Sequence, residues 1–274
     1  MYGIITRNEA ELDWAEFDRT FFEVCDVTGR TTTPVENGIN AISCFGDTAT
    51  AEVAPELVPV DSDGNRATRE QPYFDWSYVC PSRQEYREGL LEMIEEAAAK
   101  NDDVRLDDVG FPRQGYCHCE VCEERFVRSE YDDWLEWRAS VITSFVAEAA
   151  DRIPGRLFVA VYPDPYPGHL YERAGIDLDA LSAHVDEFVI PLYDTIYDTT
   201  YWLEVIASGF KGALDVPFGI ELYAVDVEID NLLHATEVAR AYAENVYFGY
   251  DAGNARAALR RQRAEENEGV SHGG

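Results

Sequence analysis

Short apolar segments alternate with amphipathic helical segments along most of this 274-residue chain. Several of the short segments are continuous apolar runs, which is typical of parallel β-strands buried on both faces. Seven strands are predicted, at 3–6, 40–45, 104–111, 157–162, 188–193, 218–223 and 246–250. Repeated strand–helix units favour an α/β fold, the (β/α)8 TIM barrel. A doubly wound sheet is disfavoured because no glycine-rich phosphate turn follows any strand.

The intervening helices are predicted from capping residues and apolar spacing. A capping box of Asp13 and Glu16 predicts a helix that carries Phe17, Phe21 and Phe22. Further helices are predicted from a capping box of Ser82 and Glu85, from the apolar spacing over 132–151, and from the caps Asp230 and Asn254. Residues 25–80 contain one firm strand, and a second is expected within 73–79. Strands 2 and 3 are therefore the part of the barrel with the weakest sequence signal, where an incomplete barrel is the alternative.

The chain is expected to form one domain. Its hydrophobic fraction of 46% supports a sizeable core. We predict a single barrel over 1–263, with a cysteine-rich zinc loop at 117–122. The last residues, 264–274, are polar and glycine-rich and predict a disordered tail.

The charge balance is extreme, with 53 acidic against 22 basic residues and a net charge of −31. Acid spread over the whole chain is typical of halophilic adaptation to a salt-rich cytoplasm, where ions screen the repulsion. A functional acidic face is the alternative. Nucleic-acid partners are not expected, because no basic stripe is present that would release counterions from a phosphate backbone.

Export and membrane association are not expected either. Residues 1–6 lack the charged start and apolar core of a signal peptide. No run of about 18 apolar residues occurs in the sequence. We therefore expect a cytoplasmic protein, with formation of a homo-oligomer left open.

Three cysteines, Cys117, Cys119 and Cys122, stand within six residues in a C-x-C-x-x-C run. Three thiolates in so tight a turn are typical of a zinc site, and a structural zinc takes a fourth ligand. Cys80 is the first candidate for that ligand, and His118 is the alternative. A site of four cysteines leaves no open coordination position, so the zinc would stiffen the loop and would not activate water. Reduced cysteines without a metal are the competing interpretation.

Acidic and aromatic residues recur where the predicted strands end. In barrel enzymes the working residues lie at the carboxyl ends of the strands. Carboxylates bind sugar hydroxyls, aromatic rings stack on sugar rings, and glycosidic cleavage needs two carboxyl groups. The catalytic candidates are Asp107, Asp108 and Glu221, and the substrate-binding candidates are Trp76, Tyr162, Asp164, Tyr193, Asp194, Tyr223, Tyr250 and Asp251.

Glu221 stands between two apolar residues, and a buried glutamate there requires a purpose or a partner. The structural alternative to catalysis is an ion pair, for which Arg105 is the candidate partner. Asp107 and Asp108 are adjacent, and adjacent strand residues face opposite sides of a sheet. We therefore expect only one of the two aspartates to enter the barrel mouth.

With these residues in place, the chain resembles the clan A glycoside hydrolases, nearest to the family 42 β-galactosidases and related barrel proteins of haloarchaeal type. The resemblance covers about 40–252 and is carried by Pro55-Glu56-Leu57 followed by Val60-Asp61-Ser62-Asp63-Gly64, by Cys80-Pro81-Ser82 with Tyr86-Arg87, and by Asp107-Asp108 followed by the three-cysteine run.

The resemblance implies a structural zinc held by Cys80, Cys117, Cys119 and Cys122. It also implies that Asp108 matches the acid/base glutamate of the fourth strand and that Glu221 matches the nucleophile of the seventh. The sequence departs from the family at the fourth strand, where two aspartates replace an Asn-Glu pair. The side chain of Asp108 is one carbon shorter than that of the family's glutamate, so its carboxyl group would lie further from the sugar. The asparagine amide that contacts the sugar 2-hydroxyl in the family is missing.

Two functions follow from these features. The first is an intracellular glycoside hydrolase that acts on a small carbohydrate ligand with a carboxylate pair. The alternative is a catalytically inactive TIM-barrel protein that binds carbohydrate or protein. A hydrolase that uses Asp164 and His169 with a second metal ion is disfavoured, because none of the five histidines are paired at ligand spacing.

Overall fold

The computed structural model describes residues 1–271, with side-chain surroundings described as far as Glu265. Eight parallel strands close into a barrel in chain order, each paired with the next and the last with the first. They are β1 (Tyr2–Thr6), β2 (Arg19–Cys25), β3 (Ile39–Ser43), β4 (Val104–Asp107), β5 (Leu157–Ala160), β6 (Glu187–Leu192), β7 (Phe218–Tyr223) and β8 (Asn245–Gly249). The fold is therefore the predicted TIM barrel, and the expected gap at strands 2 and 3 does not occur.

All seven strands expected from the sequence are present and begin within one residue of their predicted starts. The eighth, β2, covers a segment for which the prediction was wrong. The Asp13–Glu16 capping box and the three phenylalanines predicted a helix there, but Phe21 and Phe22 lie in a strand. Both faces of β2 are buried, so its apolar residues do not alternate with exposed polar ones, and the periodicity that identifies a strand is lost.

The connection from β3 to β4 differs from the expectation in another way. The segment 73–79 forms no strand of the barrel, and its one ladder contact is an isolated antiparallel bridge between Gly46 and Tyr78. Tyr78 is buried and its backbone N–H donates to Ala67 O, so this aromatic segment folds over the barrel end as a loop.

Helices follow most of the strands and cover the barrel. They are α1 (Thr48–Val53), α2 (Gln84–Ala98), α3 (Glu120–Val127), α4 (Trp134–Ala150), α5 (His169–Ala174), α6 (Leu178–Leu181), α7 (Tyr201–Ala213), α8 (Ile229–Arg240) and α9 (Ala252–Ser271). Among these residues no helix combines the length and the apolarity needed to cross a lipid bilayer.

Three of the predicted helix starts are displaced. Helix α2 begins after Arg83 and has no side-chain cap, so the box of Ser82 and Glu85 is not formed. Glu228 precedes α8, which places the expected cap Asp230 inside the first turn. Asn254 lies within α9, where its backbone N–H donates to the Asp251 carboxylate at 2.8 Å.

The predicted tail at 264–274 falls at the end of the described chain. Helix α9 is assigned as far as Ser271, and residues 272–274 lie outside the described residues. The division into a 1–263 domain and a tail stays a prediction.

Alternate residues of the strands fill the inside of the barrel. Ile5, Phe21, Phe158, Val189 and Tyr247 form an apolar cluster separate from the larger core between strands and helices. Phe21 meets the rings of Phe158 and Tyr247 edge to face, at 5.4 and 5.0 Å. This plug closes the middle of the barrel, so a ligand has access only from an end.

Candidate active site

A cavity of about 670 Å³ lies at the carboxyl end of the barrel, above the apolar plug. Charged groups gather at its floor and aromatic side chains form much of its wall. Its lining includes Arg7, Glu23, Ser43, Trp76, Arg105, Asp107, Asp108, Tyr162, Pro163, Pro191, Tyr193, Tyr223 and Tyr250. The position agrees with the end of the barrel that carries working residues in enzymes of this fold.

Arg105 joins the floor of the cavity to the barrel interior. Its Nε donates to Asp107 Oδ1 at 2.7 Å, and its Nη1 lies 2.6 Å from Glu221 Oε2. Arg105 and Asp107 are two residues apart on β4 and so face the same side, which points both of them into the barrel. One guanidinium therefore separates two carboxylates that arrive from β4 and β7.

Glu221 has no exposed surface and does not line the cavity. Its Oε1 accepts a hydrogen bond from the Tyr193 hydroxyl, while Oε2 faces Arg105. Burial raises the pKa of Glu221, and the Arg105 charge opposes that rise. The ion pair with Arg105 that the sequence offered as the structural alternative is present, and Tyr193, whose hydroxyl contacts Glu221, itself lines the cavity.

Asp107 and Asp108 both line the cavity, so the expectation that only one of them enters the barrel mouth was wrong. The reason is that β4 ends at Asp107, and Asp108 takes a left-handed backbone conformation with φ of 53°. The alternation of a strand no longer applies to Asp108, whose side chain turns back toward β3. About 16% of the Asp107 side chain stays exposed.

The contacts of Ser43 show which form of Asp108 fits the site. Ser43 Oγ lies 2.7 Å from Asp108 Oδ2 and 2.8 Å from the carbonyl oxygen of Gly46. A hydroxyl group has one hydrogen and a carbonyl oxygen only accepts. When Asp108 is protonated it can donate to Ser43, which in turn donates to Gly46, and each contact is then a full hydrogen bond. When Asp108 is ionised, Ser43 shares one hydrogen between two acceptors, and its donation to the carboxylate lowers the pKa of Asp108.

The electrostatic surroundings of Asp108 favour the protonated form. Burial raises its pKa to about 7, and the negative charge of Asp107 adds to the rise. Arg105 opposes the rise from further away, because its own hydrogen bond goes to Asp107. Asp108 is thus a carboxylic acid that holds its proton close to neutral pH.

Glu23 and Arg7 are cavity residues that the sequence did not predict. The Arg7 guanidinium donates to the Glu23 carboxylate, and the Tyr250 hydroxyl donates to Glu23 at 3.3 Å. Burial raises the pKa of Glu23. Glu23 escaped prediction because β2 was interpreted as a helix, although its position two residues after Phe21 places it on the inner face of a strand.

Five of the predicted substrate-binding residues form the aromatic wall of the cavity. They are Trp76, Tyr162, Tyr193, Tyr223 and Tyr250. Tyr193 packs against Tyr223 and Tyr250, with centroids 5.3 and 6.5 Å away. The Tyr162 hydroxyl is held by the Tyr78 hydroxyl at 3.0 Å.

Trp76 holds its indole N–H at the side of the acid. A Cβ atom placed on Gly46 would lie 2.9 Å from Trp76 Nε1 and 3.1 Å from Asp108 Cγ, so both groups converge on this glycine. Trp76 Nε1 is buried and has no hydrogen-bond partner among the described residues. A buried donor without a partner is unusual in a folded protein, and this one lies beside Asp108.

The other predicted substrate-binding residues serve local structure. Asp164 accepts a hydrogen bond from Tyr166 N at 2.8 Å, and Asp194 accepts one from Ile196 N at 2.9 Å. Asp251 caps α9, as described above. None of the three aspartates lines the cavity, because each side chain turns back to bond the backbone that follows it.

The four predicted metal ligands meet in one buried cluster between the β3–α2 and β4–α4 connections. The Sγ atoms of Cys80, Cys117, Cys119 and Cys122 lie within 4.8 Å of one another, and all four residues are buried. Cys80 Sγ is 3.4 Å from Cys122 Sγ and 3.8 Å from Cys119 Sγ. Tetrahedral zinc with Zn–S bonds near 2.3 Å separates its sulfur ligands by about 3.8 Å, so the spacing fits such an ion.

The surroundings of the cysteines support a negatively charged cluster. Arg138 is buried nearby, and its guanidinium donates only to the backbone carbonyls of Glu172, Arg113 and Arg173. Thiolates on a metal would supply the negative charge that this cation lacks. The alternative ligand His118 stacks on Trp134 at 4.9 Å and is not part of the cluster.

No protein-family profile and no curated protein matches this chain. Solved structures match its fold. An α-L-fucosidase isoenzyme 2 from Paenibacillus thiaminolyticus superposes with a TM-score of 0.67 at 12% identity, over 94% of this chain and 47% of the fucosidase chain. The protein thus spans about half the length of that enzyme.

Two further structures are similar over nearly the whole chain. A class V chitinase from Pseudomonas fluorescens Pf-5 has a TM-score of 0.54 at 11% identity, over 95% of this chain and 98% of its own. An exo β-N-acetylglucosaminidase of family GH20 from Vibrio harveyi has a TM-score of 0.53 at 8% identity, over 91% of this chain and 50% of its own. The barrel is therefore of the type found in glycoside hydrolases, and at these identities the similarity is one of fold.

Proposed function

We propose that this protein is a glycoside hydrolase in which Asp108 donates a proton to the leaving group and Asp107 is the charged carboxylate beside it. The observation that carries the proposal is the pair of Ser43 contacts at the cavity wall, which a protonated Asp108 satisfies in full. The fold shared with a fucosidase, a chitinase and an N-acetylglucosaminidase supports the same class of reaction.

Asp108 has the properties of a general acid. It lines the cavity, keeps its proton near neutral pH, and has a hydrogen-bond partner in Ser43 for either protonation state. When Asp108 passes its proton to the glycosidic oxygen, the Ser43 hydroxyl can rotate and donate to the new carboxylate. Trp76 lines the cavity on the same side and offers its ring to a sugar.

Asp107 has the properties of the charged partner. Cleavage of a glycosidic bond develops positive charge on the sugar ring, and a fixed carboxylate stabilises that charge. Asp107 is held by Arg105 and lines the cavity, whereas Glu221 is fully buried and does not line it. Glu221 then acts on the reaction by fixing Arg105. Water completes the hydrolysis, and its second proton restores the acid.

A structural zinc in the four-cysteine site belongs to this proposal. Cys119 and Cys122 stand at the start of α3, and Cys80 stands just before α2. The ion would join the long β4–α4 connection to the β3–α2 connection, which carries Trp76 to the cavity. Its role is to stiffen this rim, because four sulfur ligands leave no position for a water.

We also propose that the protein is related to the family 42 β-galactosidases and that it works in a salt-rich cytoplasm. The net charge of −31 implies that the folded state gains stability from screening, so assays belong in molar salt. The ligand is a small carbohydrate that stacks on the tyrosines and on Trp76.

The test is how turnover by two variants depends on the leaving group of the substrate. Asp108→Asn should lower turnover of alkyl glycosides at least about 100-fold and turnover of dinitrophenyl glycosides far less, because dinitrophenolate leaves without a proton. Asp107→Asn should lower both. Asp230→Asn, in the first turn of α8 and outside the cavity, is the control. Equal losses for both leaving groups in Asp108→Asn would contradict the assignment.

A barrel that binds carbohydrate without cleaving it is the second candidate. The burial of Glu221 favours it, because the carboxylate expected from the seventh strand does not reach the cavity. Glycan binding by the wild type with no turnover of any dinitrophenyl glycoside would decide for this function.

A further inference from the structure

We infer that the cavity continues into an aromatic rim, formed by Tyr166, Tyr201 and Trp202, that binds the distal sugars of a neutral oligosaccharide. This inference rests on the proposed carbohydrate function and names the class of ligand as a chain longer than the cavity itself. Its first support is the distribution of exposed hydrophobic side chains.

Half of the large hydrophobic side chains that the described residues expose lie on the β5–α5 loop, on the β6–α7 loop or in the first turn of α7. Trp202 is 63% exposed, whereas the other four tryptophans are buried or half-buried. Large rings exposed together on a chain of net charge −31 mark a binding surface, because such a surface otherwise carries polar residues. The five side chains are Tyr166, Tyr193, Ile196, Tyr201 and Trp202.

Both loops start inside the cavity. Tyr162 and Pro163 line it, and Tyr166 follows three residues later. Tyr193 lines it from the next strand, and the chain then runs to the start of α7 at Tyr201. Because helices that follow parallel strands begin at the carboxyl end of the barrel, the exposed rings lie on the same rim as the cavity mouth.

The β5–α5 loop is also in contact with helix α7. A Cβ atom on Gly209 of α7 would lie 2.6 Å from the carbonyl oxygen of Pro165 and 3.3 Å from Pro167 Cδ, so only a glycine allows this approach. Trp202 precedes Gly209 by seven residues, or two turns, and shares its helix face. Trp202 therefore lies about 10 Å along α7 from the loop that carries Tyr166.

The surface is fixed in place before a ligand arrives. Tyr197 is buried, its hydroxyl donates to Leu192 O at 2.8 Å, and it accepts from Tyr223 N at 2.7 Å. Asn231 on α8 donates to Ile196 O at 2.9 Å. These bonds tie the β6–α7 loop to the neighbouring strand and helix, which lowers the entropy lost on binding.

The charge of the rim selects the ligand. Residues 193–202 include Asp194 and Asp198 and no lysine or arginine, so an anionic glycan or a nucleic acid is repelled. Tyr201 and Trp202 meet edge to face with centroids 5.4 Å apart, which leaves ring faces free for stacking. A neutral oligosaccharide offers apolar sugar faces to these rings and hydroxyls to the acids.

The experiment is calorimetric titration in molar salt with neutral gluco-, manno-, xylo-, galacto- and chito-oligosaccharides of one to six units. Trp202→Ala should weaken binding of chains of four or more units at least about fivefold and leave mono- and disaccharides unchanged. Trp202→Phe should retain most of the affinity. Tyr242→Ala, beyond the end of α8 and so at the opposite end of the barrel, should change neither.

The outcomes separate this inference from the proposed function. If the wild type binds long oligosaccharides through Trp202 but hydrolyses none of them, the result supports the aromatic rim and overturns the proposed hydrolase function. Wild type that hydrolyses glycosides while Trp202→Ala binds every length equally well overturns the rim alone. The rim is also overturned if no neutral oligosaccharide binds, or if Trp202→Ala only abolishes self-association.

Discussion

Arg105 Nη1 lies 2.6 Å from Glu221 Oε2 at a place where the Arg105 side chain is 3% exposed and the Glu221 side chain is not exposed at all. Two charges so deeply buried are tolerated because they meet each other and because Arg105 Nε also donates to Asp107. The pair links the barrel interior to the cavity floor.

Glu221→Gln should therefore lower the free energy of unfolding by about 2–4 kcal/mol, because it leaves a buried guanidinium with one carboxylate in place of two. Denaturant unfolding in molar salt measures the loss. Asp230→Asn removes an exposed partner of Arg261 and is the control, expected to leave stability unchanged. A Glu221→Gln protein as stable as the wild type would show that the pair contributes nothing.

Asp108→Asn should change how stability depends on pH. The folded pKa of Asp108 is about 7 and the ordinary value is near 4, so the folded state binds this proton more tightly than the unfolded chain. Its contribution to stability is present below about pH 4 and is lost as the pH rises to 7.

We therefore compare the unfolding free energy of Asp108→Asn with that of the wild type at each pH. The variant should gain at least about 1 kcal/mol of stability relative to the wild type between pH 4 and pH 8. The comparison cancels the titration of the other acids. A difference that stays constant over this range would mean that Asp108 has an ordinary pKa.

The four-cysteine site should hold one metal ion per chain. Elemental analysis of the purified protein should find zinc, and Cys122→Ser should lose it together with at least about 3 kcal/mol of stability, since the metal bonds exist only in the folded state. Cys25→Ala, a buried thiol outside the cluster, should keep the ion. Protein without metal that is unaffected by chelators would contradict the site.

Gly46→Ala should impair activity without unfolding the barrel. Its Cβ would come within 2.9 Å of Trp76 Nε1 and 3.1 Å of Asp108 Cγ, so the acid and its neighbour must shift. We expect a loss of at least about tenfold in kcat/KM, because catalysis is sensitive to small displacements of the acid.

Gly89→Ala is the matched control for Gly46→Ala. No heavy atom lies within 4 Å of the added methyl group in the middle of α2, so stability should rise by about 1 kcal/mol and activity should not change. Equal activity in the two variants would remove Gly46 from the site.

The sequence predicted the barrel because seven of its strands are apolar runs bounded by helical patterns, such as Phe218–Tyr223. It missed Arg19–Cys25 because Phe21 and Phe22 fit the spacing of a helix as well as that of a buried strand. Local patterns cannot separate the two when both strand faces are buried, since the deciding contacts come from neighbouring strands.

The candidate site was predictable in part for a related reason. The cysteines and the aromatic wall follow from residue type and from position at strand ends. The entry of Asp108 into the cavity depends on its left-handed backbone, and the arrangement of Glu221 depends on Arg105 and Tyr193 from other strands. Neither the backbone conformation of Asp108 nor the contacts of Glu221 can be inferred from the residues that flank them in the sequence.

The pH dependence of kcat/KM tests the central claim most directly. For an alkyl glycoside in molar salt the wild type should lose activity above about pH 7, as Asp108 gives up the proton that the leaving group requires. With a dinitrophenyl glycoside, Asp108→Asn should show no such decline. The absence of turnover by the wild type, or an alkaline decline that persists in Asp108→Asn, would contradict the account.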